Sequence, residues 1–188
     1  IYQCDWSSDV CSSDLKQVGT GYSLILLAPS GERTILTYRG ASSRYNITLN
    51  DFEKLPKADW FYISSLSGDF DSLKNVVAYA VKNGIKIAIN PGNKELANHH
   101  EFQELMPHFT VLSVNKEEIE QLFGTADMNT LLHKANALVP YVVVTDGPHG
   151  CFVGDGKRAY KAGMYENVKV VDRAGAGDAF CSGFVCKI

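Results

Sequence analysis

The stretch "VVDRAGAGDAF", residues 170–180, decides the fold. An apolar strand runs into a turn of small residues, Gly175-Ala176-Gly177, and a helix begins near Asp178. Small residues let backbone N–H groups approach an anion closely, and a helix N-terminus adds positive potential. No Lys-Ser/Thr pair follows the glycines, so this is not a P-loop, and the third glycine of a dinucleotide fingerprint is absent. The turn instead sets a carboxylate, Asp178, beside the anion position. A carboxylate next to a phosphate is repulsive unless it has a task. The task that fits is general base, taking the proton of a hydroxyl that attacks a phosphoryl group. The competing explanation is an ordinary helix N-cap at Asp178.

Upstream, the same strand–turn–helix grammar repeats. "YVVVTDG" (141–147) is a continuous apolar strand, the texture of a parallel sheet covered on both faces. "FTVLSV" (109–114) is a strand ending at Asn115, and "KEEIEQLFG" (116–124) a helix closed by Gly124. "MNTLLHKANALV" (128–139) reads as another helix. "DFDSLKNVVAYAVKNG" (69–84) carries a helical period through Leu73, Val76, Val77 and Ala80 and stops at Gly84. "DWFYISSL" (59–66) and "IKIAIN" (85–90) are strands. Short helices are expected over Glu101–Met106 and at the end of "GASSRYNITLNDFEKLP" (40–56). "GCFVGDGKRAYKA" (150–162) is a hairpin turning at Asp155-Gly156, and "VKVVD" (168–172) is the strand before the glycine turn. The alternation implies an α/β fold, a doubly wound and mostly parallel sheet. "YSLILLAPSGERTILTYRG" (22–40) breaks it. This reads as a hairpin, Tyr22–Ala28 and Arg33–Tyr38, turning through Pro29 and Gly31 outside the main sheet as an edge or lid.

Ligands of open α/β sheets bind outside the carboxyl ends of the strands. Asn115, Thr145-Asp146-Gly147, and Asp172 through Asp178 all stand at such ends, on one edge of the sheet. Asn115 and Glu118 are three residues apart at a helix start, so they share a face. Their oxygens suit Mg²⁺ held largely through water, and the spacing equally suits a capping box. "TDGPHG" (145–150) offers Thr145, Gly147 and Gly150 as a nucleotide-phosphate or ribose contact, or as a simple turn, with His149 exposed and idle.

The totals bound the rest. A chain of 188 residues with 45% apolar content can bury one core, as one domain with at most a small accessory element. No apolar run reaches the roughly 18 residues of a membrane span, so no membrane partner is expected. Asp5, Asp9 and Asp14 account for the whole net charge of −3, and a chain otherwise neutral is no electrostatic nucleic-acid binder. The five cysteines form no disulfide framework, which points to the cytoplasm. The opening "IYQCDWSSDVCSSDL" (1–15) has neither the basic start nor the apolar region of a signal peptide. The spacing of Cys4 and Cys11 matches no zinc pattern. "CDWSSDVCSSDL" (4–15) back-translates onto a common short-read sequencing adapter. Residues 1–15 are therefore expected to be a non-native segment, packing poorly and making no consistent contact with the site around Asp178. Residues 16–188 are then a partial domain with a lid hairpin at about 20–40.

Taken in order, these segments resemble the ribokinase-like (PfkB) carbohydrate kinase family, from about Gly19 to the chain end. "DRAGAGDAFCSGF" (172–184) resembles the family's C-terminal signature, usually Asp-Thr-x-Gly-Ala-Gly-Asp-x-Phe. "SVNKEEIEQLFG" (113–124) resembles its Asn-x-x-Glu segment, and "VVVTDGPHG" (142–150) its nucleotide strand and turn. "GERTILTYRGAS" (31–42) and "AINPG" (88–92) also occupy familiar places. The resemblance implies a ribokinase-like fold and ATP-dependent phosphorylation of a sugar hydroxymethyl group. A nucleoside acceptor and a non-catalytic small-molecule-binding homologue stand as alternatives. It implies Asp178 as catalytic base, also touching substrate, and the amides of Ala174, Gly175, Ala176 and Gly177 as an anion hole. Asn115 and Glu118 would act on Mg²⁺ and phosphate; Thr145, Gly147 and Gly150 would line the ATP site. Asp172 would serve a monovalent cation such as K⁺. Gly40 and Ala41 would lie at the base of the hairpin lid over the sugar, a lid that also forms a homodimer contact in ribokinases.

The sequence departs from the pattern in places. Arg173 stands where Thr is commonest, Ala174 replaces a second hydroxyl residue, and Ser67 stands near where ribokinase itself has an acidic sugar contact. The family's first strand, its Gly-Gly motif, its first sugar-binding Asp and the segment that closes over adenine have no counterpart here. The expectation is a fragment that is inactive alone.

Overall fold

The computed structural model describes residues 19–27, 33–43, 45–124, 127–164 and 175–188. It contains two compact units, residues 1–45 and 46–188. The segment 1–15, the hairpin tip at 28–32, the strand expected at 168–172, and with them Asp172 and Ala174, lie outside the described residues.

In the first unit, β1 (Tyr22–Leu27) and β2 (Arg33–Tyr38) form the expected antiparallel hairpin. Tyr22 pairs with Tyr38, their rings 5.3 Å apart, and the Ser23 and Thr37 hydroxyls hydrogen-bond across the ribbon at 3.1 Å. Both faces are apolar and exposed, at Leu24, Ile25, Leu26, Ile35 and Leu36. Gly40 and Ala41 open a 3-10 turn, Gly40–Ser43, in which the Ala41 N–H donates to the Gly19 carbonyl at 3.0 Å. Gly40 has φ +47, and a Cβ there would stand 2.1 Å from that same carbonyl oxygen.

Among the described residues the second unit is built on a six-stranded sheet whose spatial order is its chain order. β3 (Trp60–Ile63), β4 (Lys86–Ile89), β5 (Val111–Asn115) and β6 (Tyr141–Thr145) run parallel. β7 (Cys151–Gly154) and β8 (Ala159–Ala162) add antiparallel to β6, as the hairpin expected at Asp155-Gly156. Strand side chains alternate between faces. Ile63, Ile87, Ile89, Leu112, Val114, Val142 and Val144 point to one face. There they meet helices α1 (Phe70–Asn83), α2 (Asn93–Ala97), α3 (His99–Leu105), α4 (Lys116–Phe123) and α5 (Met128–Asn136). Ala88, Val111 and Val143 point to the other, where Phe184 and Val185 of α6 (Ala176–Val185) pack on them. The sheet is thus mixed but mostly parallel, with helices on both faces.

The helix limits follow local chemistry. Asp69 caps α1 by accepting from the Ser72 N–H, and the chain leaves α1 at Gly84 with φ +68. Asp127 caps α5 through the Thr130 N–H. The polar stretch before the expected helix at Glu101 carries α2, and α3 begins at His99 rather than Glu101. The reason is Glu95, a carboxylate only 2% exposed. Its oxygens accept from the N–H groups of Leu66 and Gly68 at 2.8 Å, the Gly92 N–H at 3.0 Å and the Ser65 hydroxyl at 3.0 Å. Reaching back to Gly92 starts α2; reaching across to 65–68 ties the loop after β3 to the loop after β4. Within that tied loop Ser67 and Gly68 both have positive φ, +58 and +78.

Candidate active site

The parallel strands deliver their last residues side by side. Asn115 ends β5 and Thr145 ends β6, and the two are register partners. One strand over, Asn90 follows β4 and its Nδ2 donates to the Ser113 carbonyl at 2.8 Å. α6 descends onto this edge from the opposite face. Together they enclose a cleft of about 170 Å³ lined by Asn90, Ser113, Asn115, Glu118, Thr145, Gly177, Asp178 and Cys181. A wider cleft of about 530 Å³ shares Asn115 and Thr145 and is completed by Lys116, Asp146 and Gly147.

Asp178 is not the cap of α6. Gly175 holds that place with φ +75 and no side-chain cap, so Asp178 is the third helical residue and its side chain is exposed at the cleft. The capping explanation is therefore replaced by an uncapped helix start. Its first amides, those of Ala176 and Gly177, have no partner within the helix by construction. They remain for solvent or a ligand, and the macrodipole adds to their pull on an anion. Ala174, the other end of the expected amide cradle, lies outside the described residues.

Asn115 and Glu118 do form the capping box. The Glu118 N–H donates to Asn115 Oδ1 at 2.9 Å and the Asn115 N–H donates to Glu118 Oε2 at 2.8 Å. Both residues also line the small cleft. The box and the ligand role are compatible, because it occupies one Glu118 oxygen and leaves Oε1. Burial pushes the Glu118 carboxyl above the ordinary glutamate range, and the Asn115 amide pulls it partly back. Such a half-buried carboxylate, with Asp178 across the cleft, fits a hydrated divalent cation shared with phosphates better than an all-protein cage. Among the described residues no cluster of three His, Cys, Asp or Glu side chains could hold a metal by itself.

Beyond Thr145 the chain makes a 3-10 turn, Gly147–His149, closed by the Asp146 N–H donating to the Gly150 carbonyl at 2.8 Å. Lys116 Nζ sits 3.7 Å from Asp146 Oδ2. Gly147, with φ +50, faces the wider cleft. Gly150 is a packing glycine: with φ +90, a Cβ there would stand 2.0 Å from the Ala162 carbonyl oxygen. His149 is exposed.

Four residues at this site were not singled out from the sequence: Asn90, Ser113, Cys181 and Tyr62. Ser113 and Cys181 are 3% and 4% exposed, and their side chains hydrogen-bond to each other across 68 positions of chain. Tyr62 on β3 also meets the Cys181 thiol. Burial first, then the neighbouring Cys181 and Asp178 charges, push the Tyr62 phenol up to about 12. Burial likewise pushes the Cys181 thiol up. Both are therefore neutral hydrogen-bonding groups near pH 7, and Cys181 is no nucleophile. The one signal in the sequence was spacing. Cys181 is one helical turn after Asp178, and Ser113 lies two residues before Asn115, on the face opposite Val114.

The model of the pfkB family of carbohydrate kinases matches residues 10–188. The chain belongs to that family. Among curated relatives, an uncharacterized sugar kinase of Archaeoglobus fulgidus is 27% identical over 170 residues, covering 88% of this chain and 67% of the relative. The probable fructokinase-7 of Arabidopsis thaliana is 26% identical over 185 residues, covering 88% of this chain and 53% of that one. Anopheles gambiae adenosine kinase, solved with a di-adenosine tetraphosphate, superposes with a TM-score of 0.78 at 21% identity, over 91% of this chain and 57% of its own. At that identity the likeness speaks for the ribokinase-like fold. As a pfkB-family chain, this one spans between about half and two thirds of the relatives it matches. Among the described residues no helix is long and apolar enough to cross a membrane.

Proposed function

We propose that this pfkB-family segment carries the phosphoryl-transfer site of an ATP-dependent kinase acting on a sugar hydroxymethyl group. The observation that carries the reading is the convergence of Asp178, the uncapped α6 start and the Asn115–Thr145 strand ends on one cleft. Asp178 takes the hydroxyl proton as the hydroxyl oxygen bonds to the γ-phosphorus and the bond to ADP breaks. The Ala176 and Gly177 amides, with those of Gly175 and Ala174, hold the charge that develops on the transferring group. Thr145 and Gly147, beside the wider cleft, take the nucleotide. Glu118 and Asn115 hold Mg²⁺ through water, and the ion when bound neutralises phosphate charge. Asp172 is reserved for K⁺, Gly40 and Ala41 for the base of the sugar lid, and the exposed apolar hairpin β1–β2 for a homodimer contact, all in a cytoplasmic setting.

The test is a coupled ADP-release assay over a panel of sugars and nucleosides, using a protein of the relatives' full length that carries this segment. Turnover with a hexose or pentose supports the proposal. Turnover with nucleosides alone moves the acceptor class. ATP binding without turnover on any acceptor converts the reading to a non-catalytic binder.

A further inference from the structure

The sheet face that receives α6 is sparse. Its buried apolar contribution is Ala88, Val111 and Val143, met by Phe184 and Val185 near the far end of the helix. Apolar contact of this kind is non-directional and does not by itself fix a helix's rotation. At the site end of α6 the contact changes character. Cys181 turns into the sheet, hydrogen-bonds to Ser113 of β5 and meets Tyr62 of β3. Asn90 in turn holds the Ser113 carbonyl. No buried side-chain polar atom among the described residues lacks a partner. The pair is therefore satisfied and directional, and both side chains are buried, where a mispaired hydroxyl or thiol would be costly.

We infer that Ser113, Cys181 and Tyr62 are positioning residues that set the rotation of α6 and thereby aim Asp178 into the cleft. Asp178 and Cys181 are three residues apart, so they project about 60° apart around the helix axis. Locking Cys181 against β5 and β3 therefore fixes where Asp178 points. A rotation by one residue, about 100°, would carry Asp178 off the cleft. The directional Ser113–Cys181 bond opposes it at the site end of the helix, where the non-directional contact of Phe184 and Val185 does not reach. The inference rests on the reading of Asp178 as the base, and its test separates the two.

Cys181→Ala, Ser113→Ala, the double variant and Cys181→Ser are compared by exchange of the helix-bonded amides from Ala179 to Val185 and by phosphoryl transfer. Each alanine variant should speed exchange of those amides roughly 2- to 10-fold, the size expected for loss of one hydrogen bond. Each should lower turnover by about 10- to 100-fold with the KM for ATP nearly unchanged, as for a misplaced catalytic group. The double variant should be no worse than either single one, because the two side chains act as a pair. Cys181→Ser should restore both readouts. Alanine variants that leave exchange and turnover unchanged overturn the inference. So do strictly additive effects, or failure of serine to rescue, which would mean packing volume alone matters. Exchange that follows the pattern in a protein whose wild type transfers no phosphoryl group leaves the positioning pair standing and removes the kinase reading.

Discussion

Asn115 and Thr145 stand opposite one another as the final register pair of β5 and β6. One begins the α4 capping box and the other begins the turn at Gly147. Two loops of unrelated sequence thus start from a common level, and α6 brings Asp178 to that level from the other face of the sheet.

Asp178→Asn should lower turnover by about 10²- to 10⁴-fold, the usual yield of a general base, while ATP affinity stays nearly intact. Steady-state ADP release and direct nucleotide titration measure the two halves of this statement. Retained turnover would remove Asp178 from the base role.

Glu118 bears on stability through pH. Its folded-state carboxyl titrates above the ordinary range because of burial. A raised acid is favoured in its protonated form, so its contribution is best at low pH and declines as pH rises through the glutamate range. Glu118→Gln should therefore stabilise the fold slightly at pH 7 relative to pH 4 while weakening Mg²⁺-dependent nucleotide binding. Thermal melts at the two pH values decide the first part.

Asp69 has the opposite sign. The Ser72 amide, reinforced by the Ser72 hydroxyl and the Asn46 amide, holds its carboxyl below the ordinary range. That stability is present above about pH 4 and fades as pH falls further. Asp69→Ala should cost about 1–2 kcal/mol at pH 7, as for loss of a helix cap, and progressively less in acid. Urea unfolding at pH 7 and pH 3 checks the trend.

Two glycines with positive φ should respond unequally to alanine. Gly84 ends α1 with nothing within 4 Å of an added Cβ, so Gly84→Ala carries only the left-handed cost of about 1–2 kcal/mol. At Gly150 the added carbon meets the Ala162 carbonyl at 2.0 Å. Gly150→Ala must also displace β8, and should lower Tm by several degrees more than Gly84→Ala. Equal Tm values would mean that the 150–162 contact is not formed in solution.

Glu95→Ala should be among the most damaging single changes, costing on the order of 3 kcal/mol or more, because it strands the buried amides of Leu66, Gly68 and Gly92. Glu95→Gln keeps an acceptor for two of them and turns an amide donor toward Gly92, so it should fall between alanine and wild type in chemical denaturation.

Much of this was legible before any coordinates. Asn115 and Thr145-Asp146-Gly147 were legible as strand ends and Gly175-Ala176-Gly177 as a helix start, since such residues have little use in a buried strand. The strand and helix limits at Gly84, Gly124 and Asp155-Gly156 followed from backbone preferences that act locally. Glu95 was hidden because all its partners but Gly92 lie 27 to 30 positions away and its own surroundings, "NKELANHH", are polar with no apolar period. The Ser113–Cys181 pair was hidden for the same reason over a longer span. Such contacts belong to the tertiary arrangement, and single-chain patterning shows only that each residue sits on the inward side of its element.

The sheet's spatial order, identical to its chain order, has a consequence for synthesis. Each described strand after β3, on leaving the ribosome, finds its neighbour already made, so this part of the sheet can grow vectorially. α6 is the exception. It must return across the opposite face to reach β3 and β5, strands synthesised long before it. The proposed catalytic carboxylate is therefore delivered after the strands it is packed on, so a nascent chain holds the Asn115 and Thr145 strand ends before it holds Asp178.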